Sequence, residues 1–354
     1  MAGLIRVLVV DDSAFVRKVV TQMLGRSPFI EVVGAARDGG EALEMVTELA
    51  PDVVTLDLVM PRMDGIEFLE RQMAVKPVAV VVCSITQQSG AAALQALDLG
   101  AVDFIQKPTA LATDRVYEIA EELIAKVKSA AEVSLPLAAS IAATPRPKRA
   151  SPALEVTPRS AGGPLRSDIV VLGISTGGPQ ALRLVIPQIP VDFPVPIAVV
   201  LHMPVGYTEM YAQRLNDISA ITVVEAHAGD EIRPRTMYLA PAGQHLSFVR
   251  AAGGAVQAHL DLEPHDTQHR PAVDVLFRSA ANVYGNRVLG VVMTGMGSDG
   301  LFGSAHIQAK GGRILTEAES SCVVYGMPRA VVEAGMSNRA ATLGDMASSI
   351  LDMI

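Results

Sequence analysis

At 354 residues the chain is long enough for about two domains, each with its own core. Half of its residues are hydrophobic, only 4% are aromatic and Trp is absent, which suits Val- and Ala-rich layered α/β domains, while a net charge of -8 argues against nucleic-acid binding, a role that normally needs a basic face. No segment approaches the ~20 apolar residues of a bilayer span, and Asp11 and Asp12 cut short the run Leu4 to Val10, so that run reads as a strand rather than a signal peptide.

The protein is therefore expected to be soluble and cytoplasmic, without membrane insertion. Cys83 and Cys322 lie far apart in apolar stretches, which predicts two reduced, buried thiols rather than a disulfide.

From residue 1 to 128, short apolar runs alternate with amphipathic stretches, the pattern of a parallel sheet covered by helices. The runs are Arg6-Val10, Ile30-Ala35, Asp52-Leu56, Val78-Cys83 and Ala101-Ile105. Between and after them, Val16, Val19, Val20, Met23 and Leu24 recur at helical spacing, as do Val116, Ile119, Ala120, Leu123 and Val127. This predicts a doubly wound α/β domain of five strands and five helices, with its ligand site at the carboxyl ends of the strands.

Those ends carry a chemical set. Asp11 and Asp12 follow the first strand and Asp57 ends the third, so three carboxylates converge on one crevice. Their mutual repulsion calls for a hard divalent cation, and Mg²⁺ suits such oxygen ligands. Ser84 ends the fourth strand and Lys107 follows the fifth, so a hydroxyl and an ammonium reach the same rim and could bind the oxygens of a phosphoryl group transferred to Asp57. Asp64, opening Gly65-Ile66-Glu67, reads as a helix cap rather than a ligand. Val9-Val10-Asp11-Asp12-Ser13, Asp57-Leu58-Val59-Met60-Pro61-Arg62-Met63-Asp64-Gly65 and Lys107-Pro108 resemble the receiver domain of two-component response regulators, a flavodoxin-like fold. That resemblance makes Asp57 the phosphorylated residue and Phe104 the aromatic switch, and the Lys107-Pro108 bond one that is often cis.

Residues 129–165 lose all periodicity in a run of Ala, Pro, Ser and Thr, and read as a linker. Its basic residues outnumber its acidic ones, so it serves either as a solvated tether or as a docking segment for an acidic partner. Regular patterning resumes over 166–354, with apolar runs at Ile169-Ile174, Val195-Leu201, Ile221-Val224, Met237-Leu239, Val288-Met293 and Arg313-Leu315. A second, larger α/β domain is expected there.

In it, Ser175 sits in the turn Gly173-Ile174-Ser175-Thr176-Gly177-Gly178 directly after an apolar strand, which is how a nucleophilic hydroxyl is exposed at a helix N-terminus. A hydroxyl needs a base and an orienting carboxylate. His202 and Asp299 follow two other predicted strands, and if the three strands are parallel, all three side chains emerge on one face as a Ser-His-Asp triad. The loop Thr294-Gly295-Met296-Gly297-Ser298-Asp299-Gly300 can offer backbone N–H groups to an oxyanion. The chain order Ser, His, Asp differs from that of the α/β-hydrolase fold. The serine turn could equally cradle a phosphate, although it carries no G-x-G-x-x-G of its own and no acidic residue ends the next strand. His265 and His269 stand four apart like metal ligands, but in what reads as a loop; His227, His245, His259 and His306 lack a strand-end position.

Gly173-Ile174-Ser175-Thr176-Gly177-Gly178-Pro179, Leu201-His202-Met203-Pro204 and Met293-Thr294-Gly295-Met296-Gly297-Ser298-Asp299-Gly300 are similar to the catalytic segments of one family. It is that of the chemotaxis response regulators that are protein-glutamate methylesterases, known as CheB. Similarity extends through His269-Arg270-Pro271-Ala272-Val273-Asp274-Val275-Leu276-Phe277 and Val323-Val324-Tyr325-Gly326-Met327-Pro328-Arg329. The chain departs from the family at Ala242, where glycine is usual, at Cys83, and in a shortened turn before Val78. The resemblance implies a C-terminal methylesterase domain with a mostly parallel sheet, Ser175, His202 and Asp299 as triad, and Met296 at the oxyanion site. It also implies Mg²⁺ in the receiver and no cofactor for ester chemistry. The implied substrate is the γ-glutamyl methyl esters and certain glutamines of methyl-accepting chemotaxis receptors, with a chemotaxis histidine kinase as phosphodonor. A catalytically dead, phosphorylation-controlled docking protein is the competing reading, as is an esterase acting outside chemotaxis.

Overall fold

The computed structural model describes residues 3–84, 90–107, 113–132 and 166–354, excluding the side chains of Ser84 and of 113–118. The chain divides into two compact units, Met1–Thr144 and Pro145–Ile354, with separate sheets.

The first unit holds strands β1 (Ile5–Val10), β2 (Ile30–Ala36), β3 (Val53–Asp57), β4 (Ala79–Ser84) and β5 (Asp103–Gln106). They pair in parallel in the order β2-β1-β3-β4-β5. Helices α1 (Ala14–Leu24), α2 (Gly39–Leu49), α3 (Gly65–Val75), α4 (Gly90–Asp98) and α5 (Thr113–Ala131) connect and follow them. Their starts are set by short polar side chains that satisfy orphan N–H groups: Ser13 for α1, Asp38 for α2, and Asp64, which accepts from Glu67 N–H at 2.8 Å, for α3. α1 turns Val20, Met23 and Leu24 to the core. The expected five strands and five helices are thus present. α5 continues to Ala131, past the boundary expected at residue 128, because Ser129 and Ala130 are still buried and carry the packed face onward. The remainder of the expected linker, residues 133–165, lies outside the described residues, as does the Lys107-Pro108 bond.

The second unit is built on a seven-stranded sheet, ordered β14-β13-β12-β6-β7-β9-β8 and parallel throughout. Its strands are β6 (Ile169–Ile174), β7 (Ile197–Leu201), β8 (Thr222–Glu225), β9 (Thr236–Leu239), β12 (Val288–Val292), β13 (Arg313–Glu317) and β14 (Arg339–Ala341). Strands β6, β7 and β12 are buried at every position, which is why they read as unbroken apolar runs. An antiparallel hairpin, β10 (His245–Arg250) with β11 (Val256–Asp261), forms its own two-stranded sheet. Neither the hairpin nor β14 stands among the expected strands. The helices are α6 (Gly178–Val185), α7 (Thr208–Ile218), α8 (Val273–Tyr284), α9 (Leu301–Ala309), α10 (Met327–Glu333) and α11 (Met346–Met353).

α8 packs against β6, β12 and the hairpin, and buries Val273, Leu276 and Phe277 in the main core of this unit. Phe277 has no exposed surface. Phe277→Ala is expected to destabilise this unit by about 3–5 kcal/mol, read as a lower urea midpoint for its transition, with the first unit's transition unmoved.

Candidate functional site

In the first unit, the chain reverses direction across the sheet between β1 and β3, and the crevice there opens at their carboxyl ends. Asp11 and Asp57 are buried in it, and one carboxylate oxygen each of Asp11, Asp12 and Asp57 lies within 4.8 Å of the others. Lys107 Nζ reaches Asp11 Oδ2 at 2.6 Å and Asp57 Oδ2 at 2.7 Å. Burial raises the Asp57 carboxyl above its usual range, against the opposing pull of Lys107. Burial alone would lower Lys107, but its bonds to Asp11 and Asp57 outweigh it and hold the ammonium firmly charged. The second oxygen of Asp57 accepts from Val59 N–H (3.3 Å) and that of Asp11 from Ser13 N–H (2.9 Å). One cation against three carboxylates leaves an excess of hard oxygen donors, the donor set a divalent Mg²⁺ fits. Phe104 is buried in β5, and Ser84 closes β4 with its side chain outside the described residues. Cys83, buried behind this cluster, has its thiol pushed up to about 12, chiefly by burial.

In the second unit, β6 lies between β12 and β7. Ser175 is the first residue past β6, His202 the first past β7, and the Thr294–Ser298 loop carries Asp299 back from β12. The backbone ties them together: His202 N–H donates to Ile174 C=O (3.2 Å) and Ser175 N–H to Thr294 C=O (2.9 Å). The serine turn closes through Gly178 N–H on Ser175 C=O at 2.7 Å, with Gly177 at φ +79°, a left-handed conformation that suits glycine. At Gly295 the opposite loop runs against Ser175, where any Cβ would stand 2.8 Å from that of the serine. Met296, next along, is exposed.

Asp299 organises the rest. Its Oδ2 accepts from Val273 N–H (2.7 Å) and lies 2.9 Å from His202 Nε2, while Oδ1 accepts from Asp274 N–H (2.9 Å). Val273 and Asp274 open α8, so the carboxylate sits on a helix N-terminus, where orphan N–H groups and the helix dipole favour negative charge. Burial would raise this carboxyl, but His202 and the two N–H groups outweigh it and keep it below the usual carboxylate range. An ionised Asp299 only accepts, so the His202 proton belongs on Nε2 and the basic lone pair on Nδ1. That Nδ1 is buried and has no hydrogen-bond partner. No hydrogen bond joins it to Ser175, a contact that in apo hydrolases often closes only in the substrate complex.

Two histidines that sequence reasoning set aside, His269 and His245, turn out to be neighbours of the site. The His269 ring stacks on His202 at 4.0 Å between centroids and 26° between planes. His265 instead faces Glu263 (3.1 Å) and Arg270 (3.3 Å), so the two histidines turn to different partners. Buried His245 accepts from Ala272 N–H through Nδ1 (3.1 Å) and faces Pro264 C=O through Nε2 (3.2 Å), which anchors the entry to α8 beneath Asp299. Gly295 to Gly300 also spells G-x-G-x-x-G between β12 and α9. A phosphate cradle is a poor fit there, because Gly295 N–H already donates to Val324 C=O and Gly300 N–H to Asp274. Cys322, expected in apolar surroundings, is half-buried with its thiol against Glu317.

A family model described as CheB methylesterase matches residues 170–350, and one for the response regulator receiver domain matches 7–117. A Myxococcus xanthus (strain DK1622) protein named protein-glutamate methylesterase/protein-glutamine glutaminase 5 is 51% identical over 344 residues, covering 97% of this chain and 96% of that protein. A Geobacillus kaustophilus (strain HTA426) protein, named protein-glutamate methylesterase/protein-glutamine glutaminase, is 44% identical and covers 99% of both. Among solved structures, the Thermotoga maritima CheB methylesterase catalytic domain is 39% identical with a TM-score of 0.52, covering 53% of this chain and 99% of that one.

Burial holds the His245 pKa below the ordinary 6.5, so the folded state takes up this proton later than the unfolded state does. Stability from this residue is therefore present above that value and lost as pH falls through it toward the lower folded pKa. Between about pH 7.5 and about pH 5.5, His245→Gln is expected to lose less of its urea midpoint than the unsubstituted protein.

Proposed function

This chain belongs to the CheB methylesterase family, and we propose that Ser175, His202 and Asp299 form a triad that hydrolyses γ-glutamyl methyl esters on chemotaxis receptors under control of Asp57 phosphorylation. The carrying observation is the convergence of the three residues at the ends of adjacent parallel strands, with Asp299 bonded to His202.

In this reading His202 Nδ1 takes the Ser175 proton as Oγ attacks the ester carbonyl, and the imidazolium is stabilised through Nε2–H by Asp299. The Met296 stretch faces the developing oxyanion. Collapse breaks the acyl–oxygen bond, and His202 returns the proton to the departing methanol. Water then attacks the acyl-serine by the same route, leaving a glutamate carboxylate and free Ser175. A glutamine side chain enters the same path with ammonia as leaving group, which accounts for glutaminase activity in one site.

In the receiver unit, Asp57 is the proposed phosphoryl acceptor and a chemotaxis histidine kinase the donor, with Lys107 beside Asp57 to bind the transferred oxygens and Ser84 proposed for the same role from its position at the end of β4. Asp11, Asp12 and Asp57 would hold Mg²⁺, which when bound neutralises carboxylate and phosphoryl charge. No helix among the described residues is long and apolar enough to cross a membrane.

Ser175→Ala is expected to lower methanol release from membranes carrying methylated chemoreceptors by ~10⁴-fold or more while circular dichroism stays unchanged. Full activity in the purified variant would remove the triad. Incubation with acetyl phosphate and Mg²⁺ is expected to add a phosphoryl group to the unsubstituted chain and raise its methanol release. Asp57→Asn should show neither effect; stimulation of that variant assigns control elsewhere.

A further inference from the structure

Beneath the catalytic loop lies a buried acid that the proposed chemistry does not use. Glu317 ends β13 with no exposed surface. Its Oε2 accepts from Thr294 N–H at 2.9 Å and its Oε1 from the Ser321 hydroxyl at 3.0 Å, and the Cys322 thiol also bonds to it. Cys322 is the titratable group among these partners, and none of them is a cation.

Thr294 is the opposite end of the connection. It is buried, its hydroxyl donates to Thr176 C=O (3.0 Å) and accepts from Val324 N–H (2.9 Å), and its carbonyl accepts from Ser175 N–H (2.9 Å). Thr294 therefore grips the serine turn on both sides of the Oγ-bearing residue, and Glu317 grips Thr294. Ser321 is itself fixed by Leu343 N–H at 2.9 Å, so the acid is anchored from outside the loop.

We propose that Glu317 is a positioning residue, acting through Thr294 to fix the Ser175 turn against the Met296 loop. The proposal rests on the triad reading of Ser175, His202 and Asp299. Burial pushes the Glu317 acid up to about 7. An amide N–H cannot change direction, so the acid proton, when present, resides on Oε1 and the Thr294 contact persists in both forms. What the site requires at position 317 is an oxygen acceptor at the right reach, not a charge.

Glutamine supplies that acceptor; alanine does not. In methanol release by the full-length protein from methylated receptor membranes, Glu317→Gln is expected to keep kcat within about threefold, whereas Glu317→Ala should lose about 10–100-fold in kcat per folded molecule with little change in KM. Should Glu317→Ala fail to fold, Glu317→Asp, which draws the carboxyl back by one methylene, carries the same expectation. Wild-type kcat per folded molecule in Glu317→Ala, or in Glu317→Asp where alanine does not fold, overturns the proposal. Equal impairment of Glu317→Gln also overturns it, since charge would then be the requirement. A Ser175→Ala control separates the two readings: if it keeps activity, the triad has failed and not the placement of Glu317.

Discussion

The catalytic unit is organised around one carboxylate, that of Asp299, whose side chain is largely withdrawn from water. Removing Asp299 from water is unfavourable unless its lone pairs find donors, and the fold supplies them from a helix N-terminus and from an imidazole. That arrangement decides more than the state of Asp299. It selects the His202 tautomer, leaves Nδ1 without a hydrogen bond, and couples the site to the start of α8, whose opposite turns lie in the main core. Asp274 extends the pattern by accepting Gly300 N–H (3.0 Å) and Gly303 N–H (2.6 Å), which fixes the loop leading out of Asp299.

Much of this was legible in the sequence because a parallel sheet buries both faces of its central strands. β6, β7 and β12 therefore appear as continuous apolar runs, and topology alone places Ser175 and His202 directly after the first two, whereas Asp299 also depends on the loop that follows β12. The hairpin was not legible in the same way. Leu246, Phe248, Ala258 and Leu260 face inward, but Ser247, Gln257 and His259 alternate with them on the face open to water, so neither strand shows as an unbroken apolar run. The turn Gly253-Gly254 between the two strands was the available signal. His269 had none, because its stacking on His202 is a product of tertiary approach. Glu317 showed only as a charge ending an apolar strand, which a solvent-facing strand end would also show.

The receiver site follows a complementary electrostatic rule. Lys107 is shared by Asp11 and Asp57, so a single ammonium balances two carboxylates. Three carboxylates against that one ammonium leave the cluster with an excess of negative charge. Both units place chemistry at strand ends next to a reversal of strand order, one using charge balance and the other a lone pair protected from water.

The strand that bears the Ser175 turn pairs with a partner far along the chain: Ile169 in β6 lies beside Val288 in β12, with the hairpin and α8 between them in sequence. Every strand of the amino-terminal sheet, by contrast, has been made once Gln106 is in place. Ribosomes extend chains at about 5–20 residues per second, and domains fold as units as they emerge. A nascent chain can therefore complete its acceptor sheet while the hydrolytic sheet still lacks the strand that brings Asp299 to His202.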